Sequence, residues 1–156
     1  MHTLDIFQWL SHSAAGQFMQ KSQWAFAVVE TVHLLALALL GGSLIAVSLR
    51  AIGLLRSGAF SSLARNLLPV TLASFAAISV TGVLMVSEEA LKCYYSAAFR
   101  AKMLAFAIAL IISVPVYAEL VRRGNDKPAW WLRLGAALML LSWLSVGVAG
   151  RAIGFL

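Results

Sequence analysis

The chain has 156 residues, of which 62% are apolar and 12% are charged. Soluble domains carry about 45–50% apolar and about 25% charged residues, so this composition excludes an ordinary soluble domain and indicates lipid as the solvent. The net charge is +6. The basic residues lie at the ends of apolar runs and no nucleic-acid-binding motif is present, so we expect lipid headgroups and no nucleic acid as partner.

The N-terminal segment has an amphipathic pattern. Leu4, Phe7, Leu10, Ala14 and Phe18 recur every three or four residues, with glutamine and serine between them. This spacing predicts one helix over about residues 3–19 that lies on the membrane surface, with its apolar side against lipid or the bundle.

Four long apolar segments follow, and about 20 apolar residues suffice to cross a hydrocarbon core. The predicted spanning helices cover about residues 23–53, 66–88, 98–122 and 129–152. Pro69 is expected near the start of the second of them, and Pro115 inside the third. The pattern predicts a single transmembrane domain over residues 1–156. Its fold class is all-α: an integral membrane four-helix bundle with an N-terminal amphipathic surface helix.

Lysine and arginine are distributed unevenly between the two sides of this bundle. The connections between the first and second and between the third and fourth helices, with their flanks, hold seven of these residues, and the opposite side holds five. The excess predicts that residues 51–65 and 122–130 are cytoplasmic and that both termini lie outside the cytoplasm.

Two polar residues inside the first spanning helix attract attention. Glu30 and His33 are three apart and therefore lie on one side of the helix. A charged side chain at membrane depth costs about 2.5–3.5 kcal/mol or more, so we expect Glu30 to face the bundle interior and to have a partner. His33 is the one histidine within a predicted span.

Four roles fit His33. It could ligate haem iron, relay protons with Glu30 or a bound quinone, bind a metal such as copper, or hydrogen-bond a neighbouring helix and hold the bundle together. A low-spin haem takes a second axial ligand, for which the candidates are Met85, Met103, Met139 and His12. Tyr117 lies near the far end of the third span, at a different depth from His33. The lone Cys93 excludes an intrachain disulfide.

Several stretches carry a resemblance to a known group: residues 22–53, 65–69 and 99–102, with the pairs Thr81-Gly82, Tyr94-Tyr95 and Gly150-Arg151. They resemble a family of small, uncharacterised bacterial four-helix membrane proteins. That family is distantly similar to copper-resistance protein D and to cytochrome b type membrane proteins. The resemblance implies a histidine on the first span that faces the bundle, which His33 matches. It also implies a second histidine near the end of the third span, where this chain has Tyr117.

These observations together predict a bacterial inner-membrane, cytochrome b-like subunit that serves quinone-linked electron transfer, with or without its own haem. The cofactor-binding candidates are His33, Glu30, Tyr117 and Met85, with haem b or a quinone as cofactor and His33 as the ligand of any haem iron. Two alternatives stay open. One is a non-catalytic accessory subunit of a larger membrane complex. The other is a copper-handling permease, for which the scattered methionines are a poor ligand set. Expected partners are the lipid bilayer and other membrane subunits or a second copy.

Overall fold

The structure, a computed structural model, describes residues 3–55, 60–123 and 128–152. Within those ranges the chain forms seven α-helices and no strand, which confirms the predicted all-α fold. The helices are α1 (Thr3–His12), α2 (Ala14–Lys21), α3 (Gln23–Ile52), α4 (Phe60–Glu88), α5 (Ala90–Tyr95), α6 (Ala97–Arg122) and α7 (Trp130–Ala152). Side chains of residues 3, 60 and 149–152 lie outside the description.

Four of these helices, α3, α4, α6 and α7, are long and apolar enough to cross a membrane. The 30 residues of α3 extend about 45 Å at 1.5 Å per residue, which exceeds a hydrocarbon core of about 30 Å. Backbone polar groups have no water to bind in hydrocarbon, and a continuous helix satisfies them internally. The chain is therefore a multi-pass membrane protein.

The spanning helices run up and down and form a four-cornered bundle. Helix α3 packs against α4 and α7, and α6 packs against the same two neighbours, so α3 and α6 lie on opposite corners. We call the end where α3 and α6 finish the loop end. The opposite end, where α3 and α6 begin and the short helices α1, α2 and α5 lie, is the cap end.

The apolar core lies nearer the loop end. Its largest members are Leu40, Leu44, Val47, Tyr117, Leu120, Leu132, Ile78 and Met139. Toward the cap end, α3 contributes nothing to this core beyond Ala36. The bundle is therefore densely packed in one half, and His33 lies one turn past the limit of that packing.

An aromatic group joins three of the spanning helices. The ring of Phe106 on α6 stacks on Phe75 of α4, with centroids 6.2 Å apart, and meets Trp143 of α7 edge-on at 5.8 Å. The Trp143 indole N–H donates to the hydroxyl of Ser113 on α6 at 2.7 Å. An indole N–H in a spanning helix needs such a partner, because lipid offers none.

The cap end differs from its prediction. Instead of one helix over residues 3–19, the chain forms α1 and α2 with a break at Ser13, whose hydroxyl accepts from the Gly16 N–H at 3.1 Å. The amphipathic period runs through the break, which is why it conceals the turn. Met19 is buried, and Phe7 meets Tyr94 of α5 edge-on at 5.5 Å, whereas Phe18 is 64% exposed.

The second spanning helix also differs from its prediction. Helix α4 begins at Phe60, well before the predicted residue 66, so Pro69 lies inside the helix and not near its start. A proline in a spanning helix is tolerated where neighbouring groups satisfy the backbone positions it frees. Pro115 lies inside α6, as predicted.

Candidate functional site

His33 connects two spanning helices near the cap end. Its imidazole is half-buried and extends from α3 toward α4, where Nδ1 lies 2.8 Å from Oγ1 of Thr81. An interhelical hydrogen bond of this kind holds two helices in register within the membrane. The structure therefore places His33 on the inner side of the first span, as the resemblance implies.

Thr81 is itself bonded to its own helix. Its Oγ1 lies 2.6 Å from the carbonyl oxygen of Ala77 and 3.3 Å from that of Ile78. Such bonds to a preceding turn are common for threonine inside helices. Thr81 is only 7% exposed, so its hydroxyl has little access to anything except these carbonyls and the imidazole.

Gly82, which follows Thr81 on α4, lies beside the imidazole of His33. A Cβ added at this position would lie 3.6 Å from Cε1 of His33, which is ordinary van der Waals contact. The ring therefore packs against bare backbone, and a larger side chain at residue 82 would occupy the space next to the imidazole edge. Neither the hydroxyl of Thr81 nor the missing side chain of Gly82 was assigned to His33 from the sequence, although both lie about as far from their end of α4 as His33 lies from the start of α3.

Two charged groups act electrostatically on His33: Lys102 of α6 and Glu30 of α3. Lys102 is half-buried, whereas Glu30 is exposed. The expectation that Glu30 faces the bundle interior is therefore wrong. Three residues turn a helix by about 300°, so neighbours at that spacing still point about 60° apart. Glu30 also lies only about 10 Å from the start of α3, within reach of the membrane interface.

The other predicted site residues are divided between the two ends of the bundle. Met85 is half-buried and lies one turn beyond Thr81 on the same side of α4. Tyr117 lies in the core toward the loop end, where its hydroxyl donates to the Ala64 carbonyl at 3.0 Å and lies 3.2 Å from Oγ1 of Thr71. Thr71 and Thr81 are about 15 Å apart along α4, so the structure does not bring Tyr117 together with His33.

Tyr117 belongs instead to a second polar group, which we call the tyrosine cluster. Its members are Tyr117 of α6, Thr71 and the Ala64 carbonyl of α4, and Ser43 of α3. The Thr71 hydroxyl lies 3.0 Å from Oγ of Ser43 and 2.9 Å from the Leu67 carbonyl. Every hydroxyl of the cluster has a partner, and together they join three helices.

Cys93 lies on α5 at the cap end and is half-buried. Burial raises the pKa of this thiol, and the negative charge of Glu89 acts in the same direction. Glu89 also accepts a hydrogen bond from Lys92 at 3.0 Å, which raises the pKa of that ammonium group. A thiol held neutral in this way is a weak nucleophile and a weak metal ligand.

The described part of the chain has no group of three or more histidine, cysteine, aspartate or glutamate residues that could hold a metal ion. Two hollows on its surface are wide open. One lies on the outer side of α3 beside Trp24, and the other lies near Ser11 and Glu88 at the cap end. His33 lines neither of them.

Four spanning helices with a half-buried histidine between two of them define the class, which is that of multi-pass α-helical membrane proteins. The chain belongs to DUF6644, a family of unknown function whose model matches residues 6–156. No curated protein and no solved structure matches the chain. The distant similarity to copper-resistance protein D and to cytochrome b type proteins stays a prediction.

Proposed function

We propose that the protein is a subunit of quinone-linked electron transfer in the bacterial inner membrane, and that His33 binds the quinone headgroup. One observation carries the proposal. His33 is a half-buried titratable group in a spanning helix, and only one of its two ring nitrogens has a hydrogen-bond partner among the described residues. Ionisable residues at membrane depth mark substrate or proton pathways by default.

The surroundings of His33 support a small, planar, lipid-soluble ligand. The imidazole offers a hydrogen-bonding nitrogen, and Gly82 leaves the neighbouring backbone bare. Lys102 supplies positive charge that favours electron-rich oxygen atoms, and the exposed Glu30 can exchange protons with water at the interface. A quinone held there would carry electrons and protons between the bilayer and a partner subunit.

A haem b fits the described residues less well, because the second axial ligand is hard to supply. Of the candidates, Met139 is fully buried in the core and Met103 is 46% exposed. His12 is exposed on α1, with Nδ1 2.7 Å from the Gln8 carbonyl. Met85 alone lies on the side of α4 that carries Thr81.

A matched pair of histidine variants tests the proposal. Full-length protein in lipid nanodiscs would be titrated with a short-chain hydroquinone, and binding followed by the change in tryptophan fluorescence. We expect His33→Ala to bind about tenfold more weakly, and His12→Ala to bind like the wild type, because loss of one good hydrogen bond is worth up to about tenfold. Equal binding by His33→Ala would contradict the proposal. A Soret band in the purified protein would indicate that the cofactor is haem and not a quinone.

The non-catalytic accessory subunit remains a second candidate, and one observation favours it. The bond between His33 and Thr81 is the contact that a purely structural interhelical histidine would make. A colourless protein that binds no quinone, whose His33→Ala variant keeps full activity in its native membrane, would support this alternative.

The orientation belongs to the same proposal. The loop end carries the larger share of arginine, including Arg65, whose guanidinium donates to the Val121 carbonyl at 3.1 Å; Arg56 and Lys127 lie outside the described residues. Lys92 at the cap end and Leu54 at the loop end are both exposed, so a cysteine at either position is accessible from its own side of the membrane. In a Cys93→Ala background, a cysteine at Lys92 should react with an impermeant reagent applied from outside, and a cysteine at Leu54 should not, because the arginine-rich loop end is expected to be cytoplasmic. The opposite pattern would reverse the orientation.

A further inference from the structure

We infer that Thr81 holds His33 in the tautomer that carries its proton on Nδ1, so that Nε2 is a hydrogen-bond acceptor and the site prefers a ligand with a free hydroxyl. Thr81 is then a positioning residue for His33. The tautomer follows from the geometry alone, and only the nature of the ligand, a quinol in preference to a quinone, rests on the proposed function.

The proton of the Thr81 hydroxyl is directed to the Ala77 carbonyl. Oγ1 lies 2.6 Å from the Ala77 carbonyl oxygen. A carbonyl has lone pairs and no proton, so two oxygens at this distance require the hydroxyl proton between them. The next nearest acceptor, the Ile78 carbonyl at 3.3 Å, lies on the same helix and also lacks a proton.

The hydrogen bond between Thr81 and His33 therefore has a fixed direction. A hydroxyl has one proton, and that of Thr81 is already directed to Ala77. At 2.8 Å from the imidazole, Oγ1 can therefore only accept, and Nδ1 of His33 must be the donor. A histidine whose Nδ1–H is held by an oxygen has its other nitrogen defined as the functional one, as in many metal-ligating histidines.

The remaining ring nitrogen of His33, Nε2, is left as an acceptor. In a neutral imidazole with its proton on Nδ1, Nε2 has a lone pair and no hydrogen. No residue in the described ranges hydrogen-bonds to it. Nε2 can then accept from the hydroxyl of a quinol but cannot donate to the carbonyl of a quinone. The neutral site should therefore bind the reduced form of the carrier more tightly than the oxidised form.

The tautomer can be measured directly, without any ligand. Full-length protein labelled with ¹⁵N-histidine in nanodiscs would be studied by NMR at about pH 8, where free histidine is neutral. The signals of His33 are those missing from His33→Gln. We expect a protonated Nδ1 and an unprotonated Nε2. Free histidine in water favours the opposite tautomer, so a proton on Nε2 of His33 in the wild type would overturn the inference.

Variants of two threonines test the role of Thr81. Thr81→Val keeps the shape and removes the acceptor, so the Nε2–H form should become dominant, whereas Thr81→Ser should restore the Nδ1–H form. The matched control is Thr71→Val, which removes a similarly back-bonded hydroxyl from the same helix but belongs to the tyrosine cluster. Thr71→Val should leave the His33 signals unchanged. If Thr81→Val keeps the Nδ1–H form, Thr81 does not position the ring.

The ligand preference is tested with a matched pair of compounds. A short-chain hydroquinone and its dimethyl ether differ in the hydroxyl protons that Nε2 would accept. We expect the wild type to bind the hydroquinone about tenfold more tightly than the ether, and His33→Gln and Thr81→Val to lose most of that preference. Equal affinity in the wild type, with the Nδ1–H form established by NMR, would overturn the ligand preference. No binding of either compound would refute the proposed function and leave the tautomer standing.

Discussion

The tyrosine cluster and the contact between His33 and Thr81 differ in how many of their polar atoms have hydrogen-bond partners. In the tyrosine cluster near the loop end, the hydroxyls of Tyr117, Thr71 and Ser43 each have partners, and the surroundings are densely packed. Near the cap end, His33 has one hydrogen-bond partner among the described residues, a second ring nitrogen without one, and Gly82 beside its ring. A polar network whose hydrogen-bonding atoms are all paired stabilises a fold, whereas an unpaired ring nitrogen can still form a hydrogen bond to a ligand. The comparison therefore separates a structural site from a candidate functional one.

The largest effect on stability should come from a close backbone contact at the cap end. A Cβ on Gly16 would lie 2.6 Å from the Leu10 carbonyl and 2.8 Å from that of Ser11, so Gly16→Ala must displace backbone. We expect a loss of about 1–3 kcal/mol, concentrated in α1 and α2. The amide hydrogens of α1 and α2 should then exchange with solvent faster than in the wild type. Gly42→Ala is the control, because its Cβ would contact nothing, and a similar loss in that variant would refute the argument.

The next effect tests the tyrosine cluster. Tyr117→Phe removes the hydroxyl that joins α6 to α4, so the free energy of unfolding should fall by about 1–2 kcal/mol, while quinone binding at His33 should not change. Tyr95→Phe is the control, because that side chain is 70% exposed. Reversible unfolding in denaturant measures the first quantity. A loss of ligand binding in Tyr117→Phe would show that the two groups are coupled.

A smaller effect on stability is expected at His33. His33→Gln loses one half-buried interhelical bond, which is worth about 0.6 kcal/mol on average in membrane proteins, while ligand affinity should fall about tenfold. The comparison between the two groups fails if the stability loss matches that of Tyr117→Phe and ligand affinity is unchanged.

The smallest effect concerns the cap-end thiol. Because the pKa of Cys93 is raised, less thiolate is present at neutral pH, and alkylation should be slower than for a cysteine at the exposed Leu91 in a Cys93→Ser background. The difference should shrink as pH rises. The linked stability is present below the unfolded pKa of about 8.5 and declines as pH rises toward the folded value. Equal alkylation rates at neutral pH would contradict the half-buried position of the thiol.

The spanning helices could be predicted because apolar length is a strong signal that needs no knowledge of neighbours. The break at Ser13 could not be predicted, because the amphipathic pattern continues through it. The start of α4 at Phe60 could not be predicted either, because its first residues are partly polar and lie outside the apolar segment. His33 stood out as a histidine among leucines. Its partner Thr81 did not, because a threonine within an apolar span gives no hint of which helix it faces.

The place of His33 and Glu30 on α3 also bears on how the chain enters the membrane. Helix α3 is synthesised before α4, so during insertion neither His33 nor Glu30 has a partner from a later helix. Each leucine of the span favours insertion by about 0.3–0.6 kcal/mol, which offsets the polar cost, and Glu30 lies close enough to the helix start to stay hydrated. The first span can therefore insert alone, and the contact with Thr81 forms in a later, lateral step of assembly.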